Sequence, residues 1–290
     1  MAHIVPRFAV PVLNRLVWLT VSLLVLGGCR MDGISNALAL DGGTATGAPQ
    51  VLVKDRIRVH ALSPNPAQSL LVDELVELKT EIESKTGINL SAASMPIDVY
   101  LFKDETSFRE FTAQSNAVFA DRRAFFIRSK DALNVYGFWG MQVAEDLRHE
   151  VTHGYLHSSI PNLDLWVDEG LAEYFEVNPD ANGVNLAHVR LLSEIVHQRN
   201  WRPSLERLES ITDPTHLTQI DYAEAWLWVH FLMSSPIGSE VLMAELASTD
   251  NVDRVHWSAQ VANMLGDADQ KLLDHLAKIN QHRKASKTIP

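Results

Sequence analysis

The spacing of apolar residues changes near residue 141, and that change limits the fold more than any other feature of the chain. Before it, apolar residues alternate or come in short blocks. Residues 51–62 (VLVKDRIRVHAL) alternate in part and read as a strand. Residues 95–102 (MPIDVYLF) read as a second strand, and residues 124–136 offer one or two more. Between them, Leu70, Leu71, Leu75, Leu78 and Ile82 recur at helical spacing within residues 68–85, and residues 105–113 read as a short helix. After Trp139-Gly140 the helical spacing takes over. It covers residues 141–157, a helix that Asp164 caps and that runs to Glu176, and then residues 185–198, 221–234, 239–248 and 268–282. Pro161 and Asn178-Pro179 fix two of the breaks, because the residue before a proline avoids helical backbone. Strands first and helices after predict an α+β fold: a strand-rich part over residues 51–160 and a helical part over residues 161–290. No internal repeat is present.

The chain has 290 residues, 46% of them hydrophobic, enough for a sizeable core in one large domain or two modest ones. Its net charge of -11, with no basic stripe, predicts no nucleic-acid partner. The N-terminus has a different character. Residues 1–15 carry Arg7 and Arg15 and no acid, and residues 16–26 (LVWLTVSLLVL) are apolar and uncharged. That run is too short for a bilayer, which needs roughly 20 residues, and fits the apolar region of a signal peptide. It ends in Leu26-Gly27-Gly28-Cys29, which resembles the lipobox of bacterial lipoproteins. The resemblance implies a signal peptide over residues 1–28, a lipid on Cys29, and an envelope location with the membrane as a partner through that anchor. It also implies outer-membrane sorting in a Gram-negative cell, facing the periplasm, since Arg30 stands where an inner-membrane signal has aspartate. Residues 29–50, rich in small and polar side chains, read as a flexible tether. Cys29 is the only cysteine, so neither an intrachain disulfide nor a multi-cysteine zinc site is possible.

The segment that carries chemistry is His149-Glu150-Val151-Thr152-His153. On a helix, residues four apart lie on one face about one turn apart, so His149 and His153 can bind one tetrahedral zinc. Glu150 lies close to the same face and can take a proton from a water that the ion activates. Val143, Leu147, Val151 and Leu156 can pack the other sides of the helix. Catalytic zinc takes three protein ligands and keeps one position open. Downstream stands Trp166-Val167-Asp168-Glu169-Gly170-Leu171-Ala172-Glu173-Tyr174-Phe175. Glu169 can be the third ligand, Gly170 would let this helix approach the first, and Glu173 could accept the free N–H of a ligating histidine. Asp168 is an alternative ligand. His157 continues the histidine row as a ligand, a supporting group or, by preference, a partner of the terminal carbonyls of its helix.

His-Glu-x-x-His followed by Trp-x-x-Glu-Gly-x-Ala-Glu-Tyr resembles the gluzincin metallopeptidases, over residues 147–175. The resemblance implies a zincin-like fold, zinc on His149, His153 and Glu169, Glu150 as general base, Glu173 supporting a histidine, and a peptide or protein substrate. The Gly-x-Met-Glu-Asn motif of the related aminopeptidases is absent, so that activity is not implied. A metzincin site is excluded by Leu156 and Ser159, which stand where glycine and a third histidine belong. A deformylase-like site needs a cysteine that Cys29 does not supply. The family layout also implies an oxyanion donor, for which Tyr222 is the candidate and His188, His216 and His230 are alternatives. It further implies an edge strand near Phe125-Phe126-Ile127 that pairs with an extended substrate. His230, with Trp226, Trp228, Phe231 and Leu232, reads as core. Two rivals stand beside a peptidase: an inactive peptidase-like lipoprotein that binds a partner in the cleft, and a hydrolase of non-peptide amides or esters.

Overall fold

The stretch expected to be one strand holds two. In the computed structural model, which describes residues 23–24, 50–61, 63, 65–92, 95–115, 119, 121–160, 162–199, 201–247 and 256–286, strands β2 (Gln50–Lys54) and β3 (Ile57–Ala61) pair antiparallel with Lys54 opposite Ile57. Asp55 turns the chain with φ 51°, a left-handed conformation that aspartate tolerates better than most residues. Partial alternation on both sides of Lys54-Asp55-Arg56 had concealed the hairpin. The segments expected to be a signal peptide and a tether, Cys29 included, lie outside the described residues except for Leu23, Leu24 and Gln50.

The sheet grows from β3 through β4 (Ile97–Phe102) and β6 (Leu133–Phe138), both parallel to their inner neighbour, and ends with β5 (Ala124–Arg128) antiparallel to β6. The spatial order is therefore β2-β3-β4-β6-β5. A two-residue strand, β1 (Leu23–Leu24), pairs in parallel with Ile127 and Arg128 on the outer side of β5. The region offered as one or two strands is thus two.

Helix α1 (Gln68–Thr86) covers one face of the sheet through Leu71, Val72, Leu75, Leu78 and Ile82, while Leu70 is exposed and lies off the stripe. It ends on Gly87, which adopts φ 69° and donates its N–H to Glu83 O, a left-handed C-terminal cap. The opposite face carries α2 (Glu105–Ser115), where Phe108 joins Phe102, Phe119, Phe125 and Tyr136 in a small aromatic core. The main core runs without a break from Ile57 in β3 to Leu276 in the last helix, so the strand-rich and helical parts share one apolar interior.

The helical part contains α3 (Val143–Ser159), α4 (Leu165–Phe175), α5 (Leu186–Arg199), α6 (Leu205–Glu209), α7 (Gln219–Met233), α8 (Pro236–Leu246), α9 (Trp257–Leu265) and α10 (Ala268–Ser286). The mixed α+β layout is as expected; α6 and α9 are additions to it. Asp164 stands at the start of α4 with extended backbone, but its carboxylate does not cap the helix. It accepts the Trp257 Nε1 hydrogen bond at 2.7 Å and so ties α4 to α9. α7 is capped by Thr218 and Asp221, each side chain accepting from the other's backbone N–H.

Gly170 does not bring α4 toward α3. A Cβ there would lie 2.6 Å from the Ala225 carbonyl oxygen and 2.6 Å from Val229 Cγ2, so the glycine permits close contact between α4 and α7. On α3 the corresponding residue is Gly154, where a Cβ would lie 3.0 Å from Ile97 Cδ1 of β4. α3 is thus pressed onto the sheet and α4 onto α7, and their polar residues meet between them. Among the described residues no helix is long and apolar enough to cross a membrane.

Candidate metal centre

In α3 every residue from Asp146 to His157 is buried, including Arg148, His149, Glu150 and His153. A helix this polar can be buried only if its polar groups have partners. Arg148 donates from Nε to Phe175 O at 2.9 Å and from Nη2 to Glu81 at 2.8 Å. Asp146 receives Arg123 at 2.5 Å, a bond that also fixes the segment ahead of β5 to the start of α3. Leu147, Val151 and Leu156 fill the apolar sides, as expected.

The structure brings His149, His153 and Glu169 together. The two Nε2 atoms are 3.2 Å apart, and Glu169 Oε2 is 3.6 Å from each of them. A point equidistant from three atoms so spaced lies about 2.0 Å from each, which is the bond length of zinc to imidazole nitrogen or carboxylate oxygen. All three residues are buried.

The other nitrogen of each ring decides the protonation. His149 Nδ1 is 2.9 Å from Glu176 Oε2, and His153 Nδ1 is 2.8 Å from Asp168 Oδ1. Ionised carboxylates only accept, so opposite them both Nδ1 atoms donate and each neutral ring presents its Nε2 lone pair to the centre; burial and Glu173 push the Glu176 pKa well above its ordinary value, and His149 opposes that shift. Two lone pairs and a carboxylate oxygen facing one another are held together only by a cation or a proton. Without a metal the ring pKa values register this. Burial alone would lower His149, but Glu169, Glu176 and Glu150 outweigh it and raise the ring well above its ordinary value. His153 is raised in the same way, by Asp168 and Glu169 against burial.

Glu173 does not take the supporting role expected of it. Its Oε2 bonds His188 Nε2 at 2.6 Å and Asn185 Nδ2 at 3.4 Å, both at the start of α5. Although burial opposes it, His188 keeps Glu173 ionised, with a pKa lowered to about 2. The carboxylate on His149 is Glu176, which Asn185 also holds at 2.7 Å. Asp168, the alternative ligand, lies on the Nδ1 side of His153 and so is turned from the centre shared with His149 and Glu169. It bridges His153 and His157, whose Nε2 is 2.8 Å from its second oxygen. His157 therefore meets a carboxylate, not the terminal carbonyls of its helix, and its Nδ1 is 3.3 Å from Arg128. His153, His157 and Asp168 form a second group able to hold a cation, as do His149, Glu173 and Glu176. They draw on Asp168 and Glu176, the carboxylates on the Nδ1 sides of His153 and His149.

Glu150 is buried beside the three-ligand group. Burial raises its pKa, while His149, His153 and Arg122 pull it back. Tyr222 lies buried in the first turn of α7. Of its alternatives, His188 is committed to Glu173, His216 is exposed, and His230 pairs with His275 at 2.8 Å. Phe126 of β5 stacks on His153 and His157, with ring centroids 6.1 and 5.6 Å away, so β5 passes over α3; it is the expected edge strand, but Leu23 and Leu24 pair with it at Ile127 and Arg128.

Sequence reasoning missed Glu176, Asn185 and Arg122. Glu176 lies seven residues beyond Glu169 on the same helix face, a spacing that could have identified it. Arg122 is 4% exposed and within Coulombic reach of Glu150, Tyr222 and Glu169. Its only trace in the sequence is the pair Arg122-Arg123 ahead of an apolar strand. No family model matches the chain, and no curated protein matches it in sequence.

Proposed function

We propose that this chain is a zinc-dependent hydrolase that cleaves peptide bonds. The observation that carries the reading is the buried triangle of His149 Nε2, His153 Nε2 and Glu169 Oε2, with sides of 3.2, 3.6 and 3.6 Å and with both far ring nitrogens held by carboxylates. Zinc fits this donor set because two imidazoles and one carboxylate leave one tetrahedral position for water. Bound there, zinc supplies a Lewis acid and makes water acidic enough to lose a proton near neutral pH.

The chain's own residues do the rest. Glu150 accepts the proton of the attacking water and returns it to the leaving amine. Burial raises its pKa toward working pH, where a base can both take and give a proton. Glu176 and Asp168 hold the two rings in orientation and keep their Nε2 lone pairs inward. Tyr222 is the candidate donor to the carbonyl oxygen as it becomes negative. With residues 1–28 removed as a signal peptide, the outer edge of β5, which Leu23 and Leu24 pair at Ile127 and Arg128, offers backbone groups for an extended substrate. Cys29 carries the lipid that holds the enzyme in the bacterial envelope, at the outer membrane in a Gram-negative cell. Cys29→Ser should free it from membranes.

Metal analysis of the purified chain should find about one zinc, as a single three-ligand site requires. Glu150→Gln should retain that zinc and lower cleavage of a proteome-derived peptide library by about 10²–10⁴-fold, the usual contribution of a general base. A chain that takes up no zinc defeats the reading. Undiminished cleavage by Glu150→Gln removes Glu150 from the mechanism. Zinc binding with no cleavage at all transfers the site to partner binding or to non-peptide amides and esters.

A further inference from the structure

The segment joining Phe119 to β5 delivers two arginines with different fates. Arg123 is fully occupied: its guanidinium grips both oxygens of Asp146 and donates from Nη1 to Gln142 at 2.7 Å. This anchors the segment to the first turn of the metal helix. Arg122 is turned inward. Its backbone N–H donates to Phe119 O at 3.1 Å, and its guanidinium carbon stands 5.8 Å from the centre of the Phe119 ring. The side chain is 4% exposed, yet Nε and Nη1 are buried with no hydrogen-bond partner among the described residues.

A guanidinium stays charged at any pH a protein meets, so burial cannot be relieved by losing the proton. Native interiors seldom leave such donors unpaired. The groups whose charges reach this one are those of the proposed reaction centre: Glu150, Tyr222 and Glu169. In the proposed chemistry each carboxylate already has a task, Glu169 as ligand and Glu150 as base. A fixed cation with two spare donors beside them is arranged for an oxygen that neither residue supplies. Preorganised donors of this kind act most strongly where water is excluded.

The geometry points to Arg122 as the anion-binding residue of the site, taking a negatively charged oxygen of the substrate beside the metal. This rests on the hydrolase reading above. The oxygen can arise in two ways. It is the former carbonyl oxygen once water has added to the carbon, or it is a carboxylate carried by the substrate next to the bond to be cleaved. Both present an anionic acceptor to the same N–H groups. Tyr222 and Arg122 would then approach that oxygen from different elements, α7 and the segment before β5.

Calorimetry of zinc-loaded protein with two probes tests the assignment. Inorganic phosphate represents the tetrahedral anion and acetate the planar carboxylate. Zinc content is read on the same samples. Arg122→Gln should retain zinc and weaken phosphate binding at least tenfold, and Arg122→Lys, which keeps the charge, should recover part of it. Acetate weakened to the same degree identifies a substrate carboxylate as the natural anion; acetate unchanged identifies the tetrahedral oxygen. Phosphate binding that Arg122→Gln leaves intact, or no phosphate binding by the zinc-loaded native chain, overturns the role of Arg122 and leaves the hydrolase reading standing. Failure to take up zinc defeats that reading, and this one with it.

Discussion

Two pairs of histidines, all buried but the partly exposed His275, meet ring to ring in this molecule and reach opposite electrostatic states. His149 and His153 stand 3.2 Å apart between Nε2 atoms, and His230 and His275 stand 2.8 Å apart between Nδ1 and Nε2. Burial by itself lowers the pKa of all four rings, because it disfavours the charged form. In the first pair carboxylates reverse that outcome: Glu169, Glu176 and Glu150 around His149, and Asp168 and Glu169 around His153. In the second pair nothing does. His230 and His275 are both lowered to about 4, by burial first, with His275 and Lys85 adding to the effect at His230 and Lys278 at His275. Among the described residues only the first pair belongs to a group that could hold a metal. Close histidines alone do not make a cation site. The candidate site comes from anions on the outer nitrogen of each ring and from a third donor, Glu169, on the inner side.

The sharpest way to break this contrast is to remove the third ligand. Glu169→Ala should bring the zinc content from about one per chain to near zero, since two imidazoles do not complete a structural or catalytic zinc site. His275→Ala should leave the zinc content unchanged. If His275→Ala also released zinc, the two pairs would not be independent.

A smaller effect tests the outer partners. Asp168→Asn and Glu176→Gln keep the shape of the side chain and remove its charge, so each should weaken zinc binding by about 10–100-fold. A competition titration against a chelator measures this. Glu173→Gln, acting on His188 and Asn185, should cost less than either, because Glu173 bonds neither ligating ring. Equal losses for Glu173→Gln and Glu176→Gln would return Glu173 to the role its sequence position first gave it.

That exchange between Glu173 and Glu176 marks how far the site could be read in advance. Residues 149, 150, 153 and 169 were legible because helical spacing and zinc's ligand number act within single segments. Glu173 and Glu176 both share a helix face with Glu169, at four and seven residues on. Which of them reaches His149 depends on how α4 crosses α3 and on α5, whose His188 holds Glu173. Such choices are made by packing between segments and leave no periodic trace. Gly170 is a similar case: its need for space was visible, but that it faces Ala225 and not α3 was not. The hairpin at Asp55 was hidden because its turn lacks the glycine that usually marks one. Arg122 was hidden because a single inward arginine has no period, and its meaning comes from Glu150 and Tyr222, 28 and 100 residues away in the chain.

The smallest expected effect concerns the neutral pair and pH. In the unfolded chain a histidine titrates near 6.5, whereas His230 and His275 in the folded chain titrate near 4. Between these values the unfolded state binds more protons, so stability falls as pH falls through that window. The pair should cost on the order of a few kcal/mol across it, with partly exposed His275 contributing less than His230. His149 and His153 in metal-free protein have the opposite sign: their raised pKa values add stability at low pH, which is lost as pH rises through those values. Chelator-treated protein therefore separates the two pairs within one molecule. Thermal unfolding of His275→Gln, followed from pH 6.5 to 4.5, should show a shallower loss on acidification than the native chain, because one of the two titrating rings is gone. The carboxylates titrate alike in both proteins and cancel in the difference. Parallel curves would mean that His275 titrates alike in the folded and unfolded chains, and the contrast between a pair surrounded by carboxylates and a pair without them would fail at its second member.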